Sequence, residues 1–184
     1  MNNELVSTSE RIYTERCLLR YPSEKDITHV WSATRVDGFN DGMAWDPPEH
    51  IEELLEPQQK SEANWRAGTS YAWTVINRHN EEFVGRIAIR RAAPEDVWSI
   101  GFWTHPVQQR QGYAKEAAEA VIQFGFQRLH AKSITAAHAT WNEASGKVLV
   151  AVGMRFVRTN PRGFQKRGQW VEEHEYEIVQ ARFA

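Results

Sequence analysis

Gln109-Arg110-Gln111-Gly112-Tyr113-Ala114 is the stretch that decides the fold of this 184-residue chain. It follows an apolar run over residues 98–103 and opens a long pattern of helical spacing. This order predicts a strand, a short turn that contains glycine, and a helix N-terminus. The first backbone N–H groups of such a helix have no partner inside it, and the helix dipole makes this end positive. Because Gly112 and Ala114 let a ligand approach the backbone closely, the stretch predicts a phosphate-binding site.

The predicted site differs from the two most familiar phosphate-binding loops. No Gly-Lys-Ser/Thr follows the turn, as a Walker A loop would require, and there is no GxGxxG pattern. The basic Arg110 and the amides of Gln109 and Gln111 lie beside the glycine. We therefore predict a diphosphate cradle over residues 109–115, a segment that ends at Lys115.

The hexapeptide resembles the acetyl-CoA signature of the GNAT N-acetyltransferases, [Gln/Arg]-x-x-Gly-x-[Gly/Ala]. Two further segments are similar to the RimJ/RimL-like branch of that family, the ribosomal-protein N-acetyltransferases, and they occur in the same order. Thr14-Glu15-Arg16-Cys17-Leu18-Leu19-Arg20 resembles the opening strand of the branch. Asn142-Glu143-Ala144-Ser145, followed by Val148-Leu149 and Gly153-Met154, resembles its Asn-x-x-Ser helix and its closing Gly-Phe. The resemblance spans residues 12–180, nearly the whole chain.

The resemblance implies both a fold and a reaction. The fold is a single α/β (mixed α+β) GNAT domain over residues 1–184, with a mixed, mostly antiparallel sheet of about seven strands flanked by helices. The reaction is transfer of an acetyl group from acetyl-CoA to a primary amine, by direct attack and without a metal. The branch suggests a protein N-terminal α-amine as the acceptor, with a ribosomal protein as a possible partner. Two alternatives stay open: acetylation of a small amine such as an antibiotic, a polyamine or an aminoacyl nucleotide, and a CoA-binding regulatory module without catalysis.

Length, charge and cysteine count limit the number of domains, the binding partners and the cellular compartment that we expect for this protein. The length fits one domain with a full core, and the net charge of −2 argues against direct nucleic-acid binding. The single cysteine, Cys17, excludes an internal disulfide and fits a reducing compartment. Residues 1–4 lack the basic start of a signal peptide, and no apolar run approaches the ~20 residues of a membrane helix. We expect a cytoplasmic monomer or homodimer with no membrane partner.

Hydrophobic spacing and turn residues predict the elements along the chain. Strands are expected at 11–20, 71–77, 82–90, 98–104, 133–139, 154–158 and 170–180. Helices are expected at 24–33, 49–66 with an interruption at Pro57, 114–129 and 142–152. Residues 37–48 read as a loop, and a second loop containing residues 160–163 is expected between the last two strands.

The strand before the cradle is the place where the resemblance puts the thioester. The family has a bulge there, which falls at Phe102, Trp103 and Thr104 in this chain. A bulge frees a backbone N–H from the sheet, and that group can stabilise a developing oxyanion. The alternative is a regular strand.

The resemblance also indicates how the departing thiolate is protonated. Many GNAT enzymes use a tyrosine whose place is taken here by Leu149, so the branch suggests Ser145 instead. The alternative for Ser145 is a purely capping role in the first turn of its helix. Asn142 is expected to cap the same helix and, by the resemblance, to hydrogen-bond the pantetheine arm.

Acceptor binding is predicted on the last strand and in the loop 37–48. Strand alternation puts Trp170, Glu172 and His174 on one face. Glu172 is the first candidate for the proton acceptor, and the others are Glu173, His174, Glu175 and His105. Trp45, together with Phe39 and Met43, is expected to line the other side of the acceptor cleft. The alternatives are solvated carboxylates at a strand end and aromatic residues that only anchor the loop.

The tryptophans and a basic segment each allow more than one interpretation. The eight tryptophans either fill the core or, for one or two of them, line a pocket for a flat or apolar group. Residues 155–167 carry five basic side chains and no acid, which suits the CoA 3′-phosphate, an acidic partner, rRNA or simply a solvated hairpin.

Overall fold

An eight-stranded sheet forms the centre of the protein in the computed structural model, which describes residues 5–180. The strands are β1 (Arg11–Tyr13), β2 (Cys17–Arg20), β3 (Ser70–Asn77), β4 (Phe83–Arg91), β5 (Val97–Thr104), β6 (Ser133–Ala139), β7 (Arg155–Lys166) and β8 (Gln169–Val179). Their spatial order is β1-β2-β3-β4-β5-β6-β8-β7, and every neighbouring pair is antiparallel except β5 and β6. The predicted fold class, a mixed and mostly antiparallel sheet flanked by helices, is confirmed.

Four α-helices cover the sheet within the described residues. They are α1 (Ile27–Thr34), α2 (Leu55–Arg66), α3 (Tyr113–Gln127) and α4 (Glu143–Ala151), with short 3-10 helices at Glu24–Asp26, Ile51–Leu54 and Pro106–Gln108. Pro57 does not interrupt α2. It is the third residue of that helix, where a backbone N–H has no helical partner to lose.

The structure changes two of the predicted elements. The single strand predicted at 11–20 is a hairpin, because the Thr14 N–H donates to the Cys17 carbonyl and turns the chain between β1 and β2. This hairpin supplies the eighth strand. The loop predicted around residues 160–163 is a bulge inside β7, and the true turn lies at Arg167 and Gly168, which have φ values of 50° and 77°. Asn-Pro-Arg-Gly looks like a turn, but pairing with β8 resumes beyond it.

The main core lies between the sheet and helix α3. Trp65, Trp73 and Trp98 are almost fully buried in it, so the core interpretation holds for these three tryptophans. Helix α3 lies unusually close to the sheet, since a Cβ at Gly125 would come within 2.7 Å of the Ile134 side chain. This close packing fixes the axis of α3 and therefore the place where its N-terminus meets the sheet.

The two parallel strands separate after a short contact, and this separation creates the site. Pairing between β5 and β6 covers only Val97, Trp98 and Ser99 of β5. Farther along, β5 pairs with β4 alone, while β6 continues with β8. A wedge therefore opens in the sheet beside the end of β5, just where the chain turns into α3.

Candidate active site

A cleft of about 1620 Å³ fills this wedge and extends across the sheet. One end is formed by the start of α3 and the other by the loop after α1 together with α2. The cleft therefore connects the predicted diphosphate cradle with the predicted acceptor side. Of the residues predicted to act in the site, the lining includes Trp45, Phe102, Trp103, Thr104, Gln109, Arg110, Gly112, Tyr113, Ala114, Lys115, Asn142 and Ser145.

The strand–turn–helix arrangement predicted for the cradle is present. Gly112 caps α3 with a left-handed backbone (φ 82°), and Arg110 is also left-handed (φ 61°). The backbone N–H groups of Tyr113, Ala114 and Lys115 form the first turn, so they have no helical acceptor. They lie at the cleft lining with the positive end of the helix dipole. This end of the cleft can hold a diphosphate.

The β1–β2 hairpin holds the cradle in place through one carboxylate. Glu116 accepts hydrogen bonds from the Thr14 hydroxyl (2.5 Å) and from the backbone N–H of Arg16 (2.7 Å). The Arg16 guanidinium donates to the same carboxylate (2.8 Å) and to the Gln111 carbonyl (2.9 Å). Burial opposes ionisation of Glu116, but these hydrogen bonds outweigh it and lower its pKa. The opening motif of the chain thus positions the start of α3.

Two side chains of the predicted cradle point away from the cleft. The Tyr113 ring is buried, and its hydroxyl accepts a hydrogen bond from the Asn77 amide (3.0 Å). Gln111 is absent from the cleft lining, and its side chain donates to Gln108 (3.2 Å). Only the backbone of Tyr113 can serve the cradle, and Gln111 acts through its carbonyl contact with Arg16.

The strand at the expected thioester position is regular. Phe102, Trp103 and Thr104 pair one to one with β4, so the bulge that the resemblance implied is not there. The N–H of the neighbouring His105 donates to the Val84 carbonyl of β4. Because successive backbone N–H groups of a strand point to opposite sides, those of Phe102 and Thr104 point away from β4, toward the wedge. Divergence of β6, rather than a bulge, leaves these N–H groups free. The chemical consequence is the same: an N–H donor faces the cleft.

Asn142 and Ser145 lie together at the start of α4. The Asn142 side-chain oxygen accepts a hydrogen bond from the Ser145 backbone N–H (3.3 Å), so the predicted cap is formed. The cap uses the backbone of Ser145, and its hydroxyl makes no hydrogen bond to any residue from 5 to 180. Leu149, at the usual tyrosine position, is buried. Capping and a chemical role for the Ser145 hydroxyl are therefore compatible.

The loop after α1 is fastened across the cleft by a lysine of β7. Lys166 Nζ donates to the carbonyls of Asn40 (2.8 Å), Met43 (2.9 Å) and Trp45 (3.2 Å). It also lies 3.4 Å from the Asp46 carboxylate. The end of the basic segment 155–167 therefore holds the loop 37–48, a role that no pattern in the sequence indicated.

The same loop reaches the cofactor side. A Cβ at Gly42 would lie 3.1 Å from the Asn142 amide and 3.3 Å from the Trp141 ring. The loop thus touches the start of α4, and Trp45, Trp103 and Trp141 all line the cleft. These three tryptophans line the cleft, and whether they bind a flat or apolar group stays a prediction.

The structure does not bring Trp170, Glu172 and His174 to the cleft. They lie on the face of β8 that continues under α4, and none of them belongs to the cleft lining. Glu172 is exposed, and its backbone carbonyl accepts from the Thr140 N–H (3.0 Å). The three side chains share one face of β8, as alternation predicts, but no residue of β8 belongs to the cleft lining.

Two other reactive side chains are engaged in structural roles. His105 contacts the Ser32 hydroxyl through Nε2 (3.0 Å) and accepts from the Val107 N–H through Nδ1 (3.4 Å). Burial raises the pKa of the Cys17 thiol to about 11, so it stays protonated at neutral pH. Neither group is placed for chemistry in the cleft.

The sequence interpretation missed two arginines of the cleft, Arg86 and Arg90. Both line it from β4. Their alternation within an otherwise apolar strand pattern was the signal that could have revealed them. No group of three His, Cys, Asp or Glu side chains among residues 5–180 could hold a metal ion. No helix in that range is long and apolar enough to cross a membrane.

The N-terminus of α3 lies where β5 and β6 separate, and one long cleft begins there. This arrangement suits the binding of an extended co-substrate that contains a diphosphate. The family model of the acetyltransferase (GNAT) domain matches residues 16–155. The chain belongs to this family, and it is an acetyl-CoA-dependent N-acetyltransferase. This identification decides against the non-catalytic module.

Individual relatives agree with the family assignment. The uncharacterized N-acetyltransferase YnaD of Bacillus subtilis (strain 168) is 28% identical over 170 residues, covering 92% of this chain and 96% of the relative. RimL, a ribosomal L7/L12 alpha-N-protein acetyltransferase solved with coenzyme A, superposes with a TM-score of 0.83 at 15% identity, covering 92% and 98% of the two chains. Mycobacterium smegmatis RimJ, solved with CoA-disulfide, gives 0.81 at 20% identity, covering 95% and 89%. The fold of the RimJ/RimL-like branch is therefore confirmed.

Proposed function

We propose that this enzyme acetylates the α-amine at the N-terminus of a protein, with a cytoplasmic ribosomal protein as the acceptor. The observation that carries the proposal is the continuous cleft from the start of α3, past Ser145, to the loop held by Lys166. The fold likeness to RimL and RimJ supports the choice of acceptor. An extended N-terminal segment can enter the cleft from the loop side and bring its amine to the wedge.

The residues at the cradle end fit the donor. The free N–H groups of the first turn of α3, with Arg110 and Lys115, would hold the diphosphate of acetyl-CoA. The Asn142 amide, which faces the cleft near Gly42, would hold the pantetheine arm. Acetyl-CoA supplies a thioester, whose acetyl carbon is open to attack by an amine.

Two groups of the protein are placed to assist that attack. The Phe102 N–H faces the wedge and can stabilise negative charge on the acetyl oxygen. The Ser145 hydroxyl can hydrogen-bond the sulfur as the C–S bond breaks; the proton that the attacking nitrogen loses ends on the departing thiol, and the serine hydroxyl is left unchanged. We do not assign the amine's proton to Glu172, because its side chain lies outside the cleft lining.

A small amine is the second candidate acceptor. Phe39 and Trp103 pack edge to face with their ring centroids 5.3 Å apart, and Trp45 packs on Phe39 at 6.5 Å. All three rings line the cleft, so together they offer a surface for a flat or apolar group. Such a surface suits an antibiotic, a polyamine or an aminoacyl nucleotide as well as a peptide.

A turnover assay with a matched panel separates these two candidates. We would measure thiol release from acetyl-CoA with N-terminal peptides, with the same peptides blocked at the α-amine, and with polyamines and aminoglycosides. Mass spectrometry would locate the added acetyl group. Acetylation at the α-amine of free peptides, with blocked peptides inert, supports the proposal. Turnover confined to the small amines would replace it with the second candidate.

Lys166→Met should raise KM for the amine about tenfold, because three carbonyls of the loop lose the donor that holds them across the cleft. KM for acetyl-CoA should stay nearly unchanged, since the cradle is tied down separately by Arg16 and Glu116. Steady-state kinetics with each substrate varied in turn measures the two effects.

Arg167→Met is the matched control for this prediction. It removes the same charge from the next residue, but among residues 5–180 Arg167 forms an ion pair only with the exposed Asp46 carboxylate (3.2 Å). It should leave both KM values near those of the native enzyme. Equal effects of the two substitutions would show that charge at the hairpin tip, and not the loop contact, sets acceptor binding.

A further inference from the structure

Two arginines form part of the cleft floor on the acceptor side. Arg86 and Arg90 project from β4 on the sheet face that packs against α1 and α2. Arg86 is paired in register with Trp103, and Arg90 with Ser99. The pair between them, Ala88 and Gly101, has almost no side chain. The two guanidinium groups therefore border a shallow space beside the strand where the acetyl group is expected.

Arg86 has far fewer partners than a buried guanidinium normally requires. It donates one hydrogen bond, to the Gln58 side-chain oxygen (3.1 Å), while its buried Nε has no acceptor among the described residues. Asp26, whose charge acts on Arg86, is already paired with Arg20, which binds it at 2.6 and 2.9 Å. Burial lowers the pKa of Arg86, although an arginine keeps its charge at neutral pH. An unpaired charge of this kind is costly unless a ligand compensates it.

Arg90 extends toward the same space and makes no ion pair with any carboxylate between residues 5 and 180. Its Nη1 lies 3.1 Å from the position of a Cβ on Gly101, so the guanidinium crosses from β4 over β5. A side chain at Gly101 would crowd it. Glycine at this position leaves room both for the guanidinium and for a ligand above the strand.

The carboxylates that line the cleft do not compensate these arginines. Asp46 contacts Lys166 and Arg167. Glu53 accepts from the His50 backbone N–H (2.8 Å) at the start of a 3-10 helix. Glu49, the third carboxylate of the lining, forms no ion pair with any residue between 5 and 180. Arg86 and Arg90 therefore have no ionic partner among the described residues of the cleft.

We propose that the acceptor amine carries an anionic group, a carboxylate or a phosphate, that binds Arg86 and Arg90. This inference rests on the proposed function, since it adds a charge requirement to the amine substrate. Guanidinium groups bind both anions through paired N–H donors, so the shared chemistry is a planar or tetrahedral oxyanion near the amine. In a peptide acceptor the group would be an acidic side chain next to the first residue.

Peptide pairs that differ only in charge test the inference. The native enzyme should acetylate Ser-Asp-Gly-Gly amide with a kcat/KM about tenfold above that of Ser-Asn-Gly-Gly amide, because one charge-assisted contact is gained. A second pair compares phosphoserine with serine at the same position. A preference in the first pair assigns a carboxylate, and a larger one in the second pair assigns a phosphate.

Arg90→Gln should abolish the preference while leaving KM for acetyl-CoA unchanged. Arg86→Gln should do the same, and its thermal unfolding would be recorded because this side chain is half-buried. Arg91→Gln is the matched control, because it removes an equal charge from the same strand. The Arg91 guanidinium lies over the Trp98 ring (5.1 Å). This variant should keep the native preference.

Binding of the N-acetylated peptides, measured by calorimetry without acetyl-CoA, separates this inference from the proposed function. Tighter binding of the Asp peptide than of the Asn peptide, lost in Arg90→Gln, supports the anion site even if no peptide amine is acetylated. Equal kcat/KM and equal affinity for the two peptides in the native enzyme would overturn the inference, whatever amine proves to be the substrate.

Discussion

Gly112→Val should raise the dissociation constant of CoA by about tenfold or more, as measured by calorimetry. Gly112 has a φ of 82°, a conformation that costs an L-residue about 1–2 kcal/mol and a β-branched residue still more. A Cβ at this position would also lie 3.3 Å from Arg16 Nη2, the side chain that fastens the turn to the β1–β2 hairpin. Relief of either strain moves the first turn of α3, so the free N–H groups no longer converge on a diphosphate.

Gly168→Val separates loss of the cradle from general backbone strain. Gly168 has a similar φ of 77°, and no atom lies within 4 Å of the position of its Cβ. It belongs to the β7–β8 turn and takes no part in the cleft lining. This variant should lose comparable stability and bind CoA like the native enzyme. Native affinity in a folded Gly112→Val protein would remove the cradle assignment.

The cradle shows why part of the fold could be read from the sequence. A glycine between an apolar run and a helical pattern specifies local geometry, and local geometry depends on neighbouring residues only. The same holds for the Asn142 cap, which forms as predicted. The starts of α3 and α4 were therefore predicted correctly to within a few residues.

The acceptor side could not be read in the same way, because it depends on how distant segments meet. Strand alternation put Trp170 and Glu172 on one face of β8, but it could not tell that β8 contributes no residue to the cleft lining. Lys166 reaches a loop more than a hundred positions earlier in the chain, and this contact depends on the length of β7. A bulge around residues 160–163, which reads as a turn, hid that length from sequence reasoning.

The regular pairing of β5 changes the structural explanation for the free N–H group. The resemblance implied a bulge as the source of a free N–H, whereas here the divergence of β6 exposes the backbone of Phe102. Parting of a parallel pair is a property of the whole sheet, since β5 goes on pairing with β4 while β6 goes on pairing with β8. A similar chemical group can thus be supplied by a different structural cause.

Ser145→Ala should lower kcat about 100-fold, the usual contribution of a positioned general acid. The substitution keeps the backbone N–H that Asn142 caps, so α4 should begin at the same residue and the protein should unfold at the same temperature. CoA affinity should change less than about threefold, because the hydroxyl lies apart from the cradle and one neutral hydrogen bond contributes little. Single-turnover kinetics with saturating amine would show whether the loss falls on the chemical step.

The leaving group offers a sharper test of the same role. A thiolate that needs a proton should depend less on Ser145 when the acyl donor carries a more acidic thiol, since the sulfur then departs without help. The loss of rate caused by Ser145→Ala should therefore be much smaller with an acetyl ester of an aromatic thiol than with acetyl-CoA. If kcat with acetyl-CoA falls by less than about twofold, the hydroxyl gives no catalytic assistance, and Ser145 serves only through its backbone in the Asn142 cap.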